Sequence, residues 1–314
     1  MSINKNNEKY FYLVNYNSEF EESLCHMELK CLLNSTMKNK YVFSDIYVNP
    51  SRSPFIKEMI CIKYEEDSLD KILDKIKADK LSYDDFKVCY VRLEKNEIEY
   101  SKRLDALKKI GMSIEGEADM HCPKIMFGVT KVEGKWIFGE YKKNDFAWHI
   151  HDKKPYEYSN ALTIRVARAL VNIAVGNNMN IRLVDPCCGV GTVVIEALSM
   201  GIDVRGYELN DNIAENAQRN IEFFGYDNVV THGNMHDIEE VYDAAIIDIP
   251  YGLFTPITYE EQIAIINTAR KITKKLVLVT FEDMSDSIKE AGFNIEDICY
   301  VCKGKFKRYI YICR

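Results

Sequence analysis

Apolar and polar positions alternate regularly along the second half of the chain. Short apolar runs bounded by polar residues are typical of buried strands, and longer amphipathic stretches that end in glycine are typical of helices. Alternation of the two predicts a parallel, doubly wound sheet. The predicted strands read NIRLVD, DVRGYE, DNVVTHG, YDAAIID and KLVLVTF, and the predicted helices read GTVVIEALSMG, NDNIAENAQRNIEFFG, YEEQIAIINTARKI and SDSIKEAG.

The chain ends in two further apolar runs, FNIEDICYVC and FKRYIYIC, with too few residues between them for a helix. The tight turn VCKGKF therefore predicts an antiparallel hairpin. We expect an α/β, Rossmann-like fold in which a parallel sheet ends in this hairpin.

The first half of the chain follows a different pattern. It mixes short strand-like runs, such as YFYLVNY, MICIKY and KVCYVRL, with charged helical runs, such as DSLDKILDKIKADK and YSKRLDALKKIG. This mixture predicts one or two small α+β modules. The amphipathic stretch ALTIRVARALVNIAVG is predicted to form a helix that leads into the second domain.

Composition places the chain among ordinary globular proteins. Its 314 residues are 47% apolar and 28% charged, and this length suggests about two domains. The net charge of −7 does not indicate a nucleic-acid binder. Local basic patches would therefore have to hold any polyanion.

The ten cysteines are scattered, which is typical of small buried hydrophobes in a reducing compartment. Cys299 and Cys302 are spaced as C-x-x-C, but no second pair lies nearby to complete a zinc site. His149 and His151 likewise have no Cys or acidic set to complete a metal site. The N-terminus is polar and no apolar stretch reaches ~18 residues, so we predict a cytoplasmic protein without metal or membrane association.

The segment DPCCGVGT, residues 185–192, lies between a predicted strand and a predicted helix. Glycines two apart let a ligand approach the backbone, and free N–H groups at a helix start attract an anion. A dinucleotide site would have a third glycine where this chain has Val194. S-adenosylmethionine is the other candidate, because its carboxylate suits the helix start and its amine suits an acidic residue; a plain tight turn remains the alternative. The candidate contacts are Asp185, Cys187, Gly189, Gly191 and Thr192.

Two later strand ends supply the other candidate cofactor residues. Glu208 ends the next predicted strand in GYELN, where an acidic side chain can accept hydrogen bonds from both ribose hydroxyls. A solvated strand end is the alternative. The third strand ends in HGNMHD, where Asn234 and Met235 are candidates to read an adenine edge, with Asp237 in competition and loop capping as the alternative. Leu209, next to Glu208, completes the set.

The segment DIPYG, residues 248–252, directly follows the apolar run YDAAII. An exocyclic base amine is a poor nucleophile because its lone pair is delocalised into the ring. A carboxylate or backbone carbonyl that accepts its N–H hydrogens draws the nitrogen toward tetrahedral geometry, so that it can attack a sulfonium methyl. We predict that Asp248 is the acceptor, that Pro250 stiffens the loop and that Tyr251 stacks on the base. An Asp-x-Pro turn after a strand is the alternative.

The segments DPCCGVGT, GYELN and DIPYG together resemble the class I methyltransferases with a D/N-P-P-Y/F motif, which modify amino groups. In the upstream half, IGMSIEGEADMHCPKIMFGVTKVEGKWIFGEY, WHIHDKKPYEYSNAL and RVARALVNIA resemble the THUMP-containing RNA methylases. FYLVNY, HMELKCLL and SRSPFIKEM resemble the ferredoxin-like module that precedes THUMP in the archaeal and eukaryotic tRNA guanosine-N2 methyltransferases acting at position ten.

The resemblance implies three domains: a ferredoxin-like module at 1–55, a THUMP-like RNA-binding domain at 56–155 and a methyltransferase domain at 156–314. It also implies that Asp248 is catalytic, that Tyr251 stacks on the base and that the cofactor is S-adenosylmethionine. The cofactor residues that it implies are Asp185, Gly189, Gly191, Glu208 and Asn234. Two positions depart from the family: Ile249 replaces the first proline of the catalytic motif, and Asn234 replaces a common acidic residue.

Basic residues with aromatic neighbours are the candidates for RNA contact. Arg52 and Lys57 form one group. A second group is interleaved with the aromatic residues Phe146, Trp148, His149 and His151; its members are Lys142, Lys143, Lys153 and Lys154. The third lies at the C-terminal hairpin, where lysines two apart would share one face of an extended segment. The predicted RNA-binding residues are Lys142, Lys143, Trp148, Lys153, Lys154, Lys303, Lys305, Lys307 and Arg308.

These patterns predict a methyltransferase that uses S-adenosylmethionine to modify the N2 amine of guanosine in RNA, with tRNA as the expected partner. Ribosomal RNA guanine or an adenine N6 amine is the alternative target. A non-catalytic RNA-binding protein with a vestigial cofactor pocket is the alternative from another class. No oligomeric state is predicted.

Overall fold

The computed structural model describes residues 8–17, 19–93, 98–158, 161–250, 257–303 and 306–314, except the side chains of residues 303 and 306. The chain forms two compact units. The first comprises Met1–Asn15, Leu33–Ser51 and Phe55–Asp145, and the second comprises Tyr16–Leu32, Arg52–Pro54 and Phe146–Arg314. Among the described helices, none is long and apolar enough to cross a lipid bilayer.

The first unit contains a six-stranded sheet. Its strands are β1 (Lys9–Val14), β2 (Tyr41–Ser44), β3 (Ile56–Glu66), β4 (Phe86–Tyr90), β5 (Ile125–Val132) and β6 (Lys135–Lys143). Their order is β2-β1-β3-β6-β5-β4, and β4 and β5 run parallel while the other described pairs are antiparallel. Strands from both predicted N-terminal modules thus pair in one sheet, and the three-domain division stays a prediction.

Two helices of the first unit follow the predicted amphipathic runs. The second helix of the chain, α2 (Leu69–Ala78), begins after Ser68, whose side chain accepts a hydrogen bond from the Lys71 amide. The third, α3 (Tyr100–Ser113), lies in the other charged run. Apolar positions on both helices pack against β4, β5 and β6 around Phe127 and Phe138.

The second unit contains a seven-stranded sheet in the order β12-β13-β11-β10-β7-β8-β9. Strands β7 to β11 pair in parallel, and β13 runs antiparallel to β11 and β12. The predicted parallel sheet with a terminal hairpin is therefore confirmed. The strands are β7 (Arg182–Asp185), β8 (Asp203–Glu208), β9 (Val230–His232), β10 (Tyr242–Asp248), β11 (Thr273–Thr280), β12 (Ile295–Lys303) and β13 (Phe306–Cys313).

The helices of the second unit are α1 (Glu22–Leu33), α4 (Ile164–Val175), α5 (Thr192–Ser199), α6 (Asp211–Phe223), α7 (Tyr259–Ile272) and α8 (Ser285–Glu290). Almost all of α4 is buried. Apolar residues of α7 and α8, such as Ile266 and Ile288, pack on β10 and β11.

Strand order fixes the position of the site. In the sheet, β7 lies between β8 and β10. The strands that follow β7 are therefore added first on one side of it, as β8 and β9, and then on its other side, as β10 and β11. Ligands of open α/β sheets bind at the carboxyl ends of strands at such a point. The acidic residues Asp185, Glu208 and Asp248 end these three strands.

Candidate active site

A cavity of about 610 Å³ opens at the carboxyl ends of the parallel strands. This volume lies within the range typical of small-molecule and cofactor sites, roughly 300–1,000 Å³. Most predicted cofactor and catalytic residues line it, namely Asp185, Cys187, Gly189, Thr192, Glu208, Leu209, Asn234, Met235, Asp248 and Pro250.

The turn after β7 contains two glycines, of which Gly189 borders open space and Gly191 packs against α6. Gly189 has φ +53°, and no described heavy atom lies within 4 Å of where its β-carbon would be. Gly191 has φ +82°, but a β-carbon there would lie 3.4 Å from Cβ of Ala217 in α6. Gly191 is not among the residues that line the cavity. Its predicted ligand contact is therefore not supported, and its role is the left-handed turn and close helix packing.

Thr192, the first residue of α5, lines the cavity with an unsatisfied hydroxyl. Its side chain is buried, and its Oγ1 has no hydrogen-bond partner among the described residues. A buried hydroxyl without a partner is costly. A bound polar group would remove that cost.

Glu208 connects the end of β8 to the glycine turn. Its Oε2 accepts a hydrogen bond of 2.9 Å from the Gly189 amide, and its Oε1 accepts one of 2.9 Å from the Asn210 amide. A carboxylate has about four acceptor positions. The fixed carboxylate of Glu208 therefore retains capacity to accept from ligand hydroxyls.

In the loop after β9, Asn234 both caps the loop and lines the cavity, as the two alternative predictions require. The Asn234 side chain caps the short helix Met235–Asp237 by accepting from the His236 amide at 3.0 Å, so loop capping occurs. Asn234 and the buried Met235 also line the cavity. The competing candidate Asp237 is exposed and does not line the cavity.

Asp248 ends β10 with an unsatisfied carboxylate oxygen. Its Oδ1 is buried and has no hydrogen-bond partner within the described part of the chain. Burial raises the pKa of Asp248 to about 7, and the positive charge of Arg308 opposes that rise. The pKa of Asp248 thus lies near neutral pH. Such a group can accept a hydrogen bond from an N–H group and can also take up a proton.

Asp185 lines the same cavity. Burial raises the pKa of Asp185 to about 8; the Cys187 amide opposes the rise, and the charges of Asp248 and Glu208 add to it. The cavity therefore gathers three acidic side chains in a region of low polarity, and burial disfavours the charged forms of Asp185 and Asp248. Such a site favours a ligand that carries positive charge.

Hydrogen bonds to β11 and to α7 hold the backbone after Asp248. The Ile249 amide donates to the Val279 carbonyl of β11 at 3.0 Å, which a proline at this position could not do. The Pro250 carbonyl accepts from Nε2 of Gln262 in α7 at 3.2 Å. The predicted stacking residue Tyr251 lies outside the described residues.

Comparison with known proteins agrees with this geometry. Residues 151–262 match the family model described as UPF0020, RMKL-like, methyltransferase domain. This region is thus similar to the methyltransferase domains that the family model describes. The resemblance to methyltransferases that the motifs predict is thereby confirmed, and the THUMP-like module stays a prediction.

Two curated relatives are named tRNA (guanine(10)-N2)-dimethyltransferase. The protein from Pyrococcus abyssi is 33% identical over 122 residues, which cover 37% of this chain and 36% of the relative. The protein from Methanocaldococcus jannaschii is 27% identical over 245 residues, covering 65% and 69%. The chain spans about a third of the length of the Pyrococcus relative that it matches, at 36%. The solved structure of TrmN from Thermus thermophilus covers 98% of this chain and 99% of that chain, with 14% identity and a TM-score of 0.48.

Sequence reasoning missed several residues of the methyltransferase cavity. Tyr158 and Glu261 also line it. Glu261 belongs to a capping box with Thr258, and the spacing T-x-x-E before an apolar helix is a signal that reveals this role. The contact between Gln262 and Pro250 has no counterpart in a sequence motif.

The prediction that Trp148 contacts RNA is wrong for this conformation. Its side chain is only 3% exposed. The ring stacks on His149 at 4.0 Å, and the Arg168 guanidinium lies 5.8 Å from its centroid. A ring enclosed in this way offers no face to a base.

Arg52 is half-buried, and its guanidinium has partners in the fold. Its Nε donates to Oδ1 of Asn172 at 3.0 Å, and its Nη2 donates to the Gly176 carbonyl. Arg52 therefore holds the end of α4, and RNA contact by Arg52 and Lys57 stays a prediction.

The remaining basic candidates divide between the two units. Lys142 and Lys143 lie in β6 of the first unit, where Nζ of Lys142 donates to the Tyr47 hydroxyl at 2.8 Å. Lys153 and Lys154 belong to the second unit.

The terminal hairpin differs from the predicted single extended face. Lys303 ends β12, and Lys307 lies in β13 opposite Cys302. The two lysines are thus on different strands, and Lys305 lies outside the described residues. Lys307 is exposed, and its Nζ lies 4.3 Å and 4.5 Å from the ring centroids of Tyr300 and Tyr309. Arg308 lies 5.2 Å from the Phe281 ring.

Proposed function

We propose that this chain transfers a methyl group from S-adenosylmethionine to the exocyclic N2 amine of guanosine in RNA, with tRNA as the substrate. The observation that carries the proposal is the unpartnered carboxylate oxygen of Asp248. It lies in the same cavity as the glycine turn and Glu208. The names of the curated relatives support guanine as the base and tRNA as the RNA.

The residues present fit S-adenosylmethionine. The open space beside Gly189 and the unpartnered hydroxyl of Thr192 suit a polar group at the start of α5. Glu208 suits ribose hydroxyls, and the apolar residues Leu209, Ile213 and Met235 suit an adenine ring. When bound, this cofactor supplies an electrophilic methyl group on a positively charged sulfur.

The residues of the chain perform the other parts of the reaction. Asp248 accepts a hydrogen bond from the amine and opposes delocalisation of its lone pair into the base ring. Methyl transfer would form a bond between the nitrogen and the methyl carbon and break the bond from that carbon to the sulfur, which would leave as a neutral thioether. Positive charge develops on the nitrogen, and the Asp248 carboxylate stabilises that charge. Asp248 then takes the proton released from the nitrogen, or passes it to water.

RNA contact is proposed for the basic residues that remain after the corrections, above all Lys307 and Arg308 on the hairpin, together with Lys142, Lys143, Lys153 and Lys154. An exposed lysine between two tyrosine rings offers both a phosphate contact and stacking surface. A cytoplasmic location belongs to the same proposal.

Incubation of the purified protein with labelled S-adenosylmethionine and an unmodified tRNA transcript tests this function. We expect label in the RNA and, after digestion, N2-methylated guanosine by mass. N6-methyladenosine, or labelling of ribosomal RNA alone, would support the alternative targets. Tight tRNA binding with neither label transfer nor cofactor binding would support the non-catalytic alternative instead.

A further inference from the structure

Two hydrogen bonds flank the backbone carbonyl of Ile249. On its N-terminal side, the Ile249 amide donates to the Val279 carbonyl at 3.0 Å. On its C-terminal side, the Pro250 carbonyl accepts from Nε2 of Gln262 at 3.2 Å. The Ile249 carbonyl is therefore bracketed by two fixed groups.

The residues between these bonds leave little freedom. The ring of Pro250 restricts its own φ to about −65° and disfavours helical conformations at the residue before it. The Ile249 side chain is buried in the core between α7 and the sheet. With the Pro250 carbonyl also held, the peptide plane that carries the Ile249 carbonyl has little freedom to rotate.

Gln262 is well placed to hold this segment. It lies in the first turn of α7, and the capping box between Thr258 and Glu261 fixes that turn. The rest of α7 is held by buried residues such as Ile266 and Ala269. The donor is thus mounted on a rigid helix that does not depend on the Gln262 contact.

We propose that Gln262 is a positioning residue for the reaction. It holds the Pro250 carbonyl so that the Ile249 carbonyl faces the amine as a second acceptor beside Asp248. An amine with two hydrogens needs two acceptors for both to be drawn from the ring plane. The inference rests on the proposed function, and in this chain Gln262 and the Ile249 amide replace the constraint that a proline at position 249 would supply.

Gln262→Met tests the proposal because it keeps the length of the side chain and removes the donor. We expect kcat with unmodified tRNA to fall about tenfold, which is the loss expected for one neutral hydrogen bond that positions a reacting group. The Kd for S-adenosylmethionine should stay within about twofold, because the lost bond is neutral and neither Gln262 nor Pro250 is a proposed cofactor contact. An unchanged kcat, or an equal loss in cofactor affinity and rate, would overturn the proposal.

Gln218→Met is the matched control. Gln218 lies in α6 and makes the same kind of contact, because its Nε2 donates to the Val230 carbonyl at 3.0 Å. It does not line the cavity. We expect Gln218→Met to keep the wild-type kcat; a loss equal to that of Gln262→Met would mean that any such bond in the unit affects the rate, and would contradict the assigned role.

A second measurement does not depend on the RNA substrate. Hydrogen exchange of the Ile249 amide, measured at single-residue resolution, should be faster in Gln262→Met than in wild type and unchanged in Gln218→Met. Equal protection of Ile249 in all three proteins would overturn the inference even if methyl transfer is observed. Conversely, the wild type could transfer no methyl group while exchange is faster in Gln262→Met. That result would contradict the proposed function but would support the role of Gln262 in holding the Pro250 carbonyl.

Discussion

Two regions of the second unit bury carboxylates, and these carboxylates differ in their hydrogen-bond partners. Around α4, Glu196 is fully buried and accepts from Arg168 at 2.7 Å, with His151 at 2.6 Å from its other oxygen. Glu28 accepts from Ser53 and Asn172, each at 2.6 Å. At the cavity, Oδ1 of Asp248 has no partner among the described residues.

The comparison shows that a raised pKa alone does not mark a catalytic acid. Burial raises the pKa of Glu28 to about 7, against the hydrogen bonds from Ser53 and Asn172, and burial also raises the pKa of Asp248 to about 7. The two acids differ in their partners and in access to a cavity. Glu28 is satisfied within the fold, whereas Asp248 faces a space that a ligand can fill.

Replacement of Asp248 should produce the largest effect. Asp248→Ala removes the acceptor for the amine, and we expect kcat to fall by about a thousandfold, as for other groups that stabilise developing charge. The melting temperature should not fall, because the lost carboxylate oxygen has no described partner. Single-turnover transfer to tRNA and thermal unfolding measure the two quantities.

Asp237→Ala serves as the control for that change. Asp237 is an exposed carboxylate outside the cavity, so its removal should leave the rate unchanged. A rate for Asp248→Ala within a few-fold of this control would show that Asp248 is not essential.

Replacement of Glu196 should show the opposite pattern. Glu196→Ala leaves Arg168 and His151 without their buried partner, and the free energy of unfolding should fall by about 3–5 kcal/mol. Urea unfolding measures it, and cofactor affinity of the folded fraction should be retained.

Glu215→Ala is the exposed counterpart, since Glu215 pairs with Arg219 on the surface of α6. Its removal should leave the free energy of unfolding almost unchanged, because water screens an exposed ion pair. Equal losses for the two variants would contradict the structural role assigned to Glu196.

The pH dependence should show the smallest effect. Because burial raises the pKa of Asp248 from 3.8 to about 7, kcat should rise with pH through that region and then level off. The folded state binds a proton more tightly than the unfolded state, so the contribution of Asp248 to stability is full below pH 3.8 and is lost as pH rises through about 7.

Asp248→Asn separates the contribution of Asp248 to this pH dependence from those of Glu28 and Asp185, whose pKa values are also raised. The variant should lose less stability than wild type between acid and neutral pH in urea unfolding. Parallel stability curves for the two proteins would show that Asp248 does not carry the shifted pKa.

Much of the second unit could be predicted from the sequence. Runs such as YDAAIID are strongly periodic and bounded by turn residues, so strand positions and their acidic ends follow directly. The site followed because parallel strands place their carboxyl ends at one edge of the sheet.

The contacts that the sequence did not show have a common physical cause. Trp148, Arg52 and Gln262 acquire their roles from residues distant in sequence: Arg168, Asn172 and Pro250. Spacing along the chain carries no information about such contacts. For the same reason, the sequence did not show that residues 16–32 and 52–54 belong to the compact unit of the parallel sheet.

A crystal structure with bound S-adenosylmethionine tests the role of the cavity most directly. We predict ribose hydroxyls within hydrogen-bond distance of Glu208 and a sulfonium methyl group that faces Asp248. A ligand bound elsewhere on the chain, or an Asp248 carboxylate turned away from the methyl group, would contradict the proposed function.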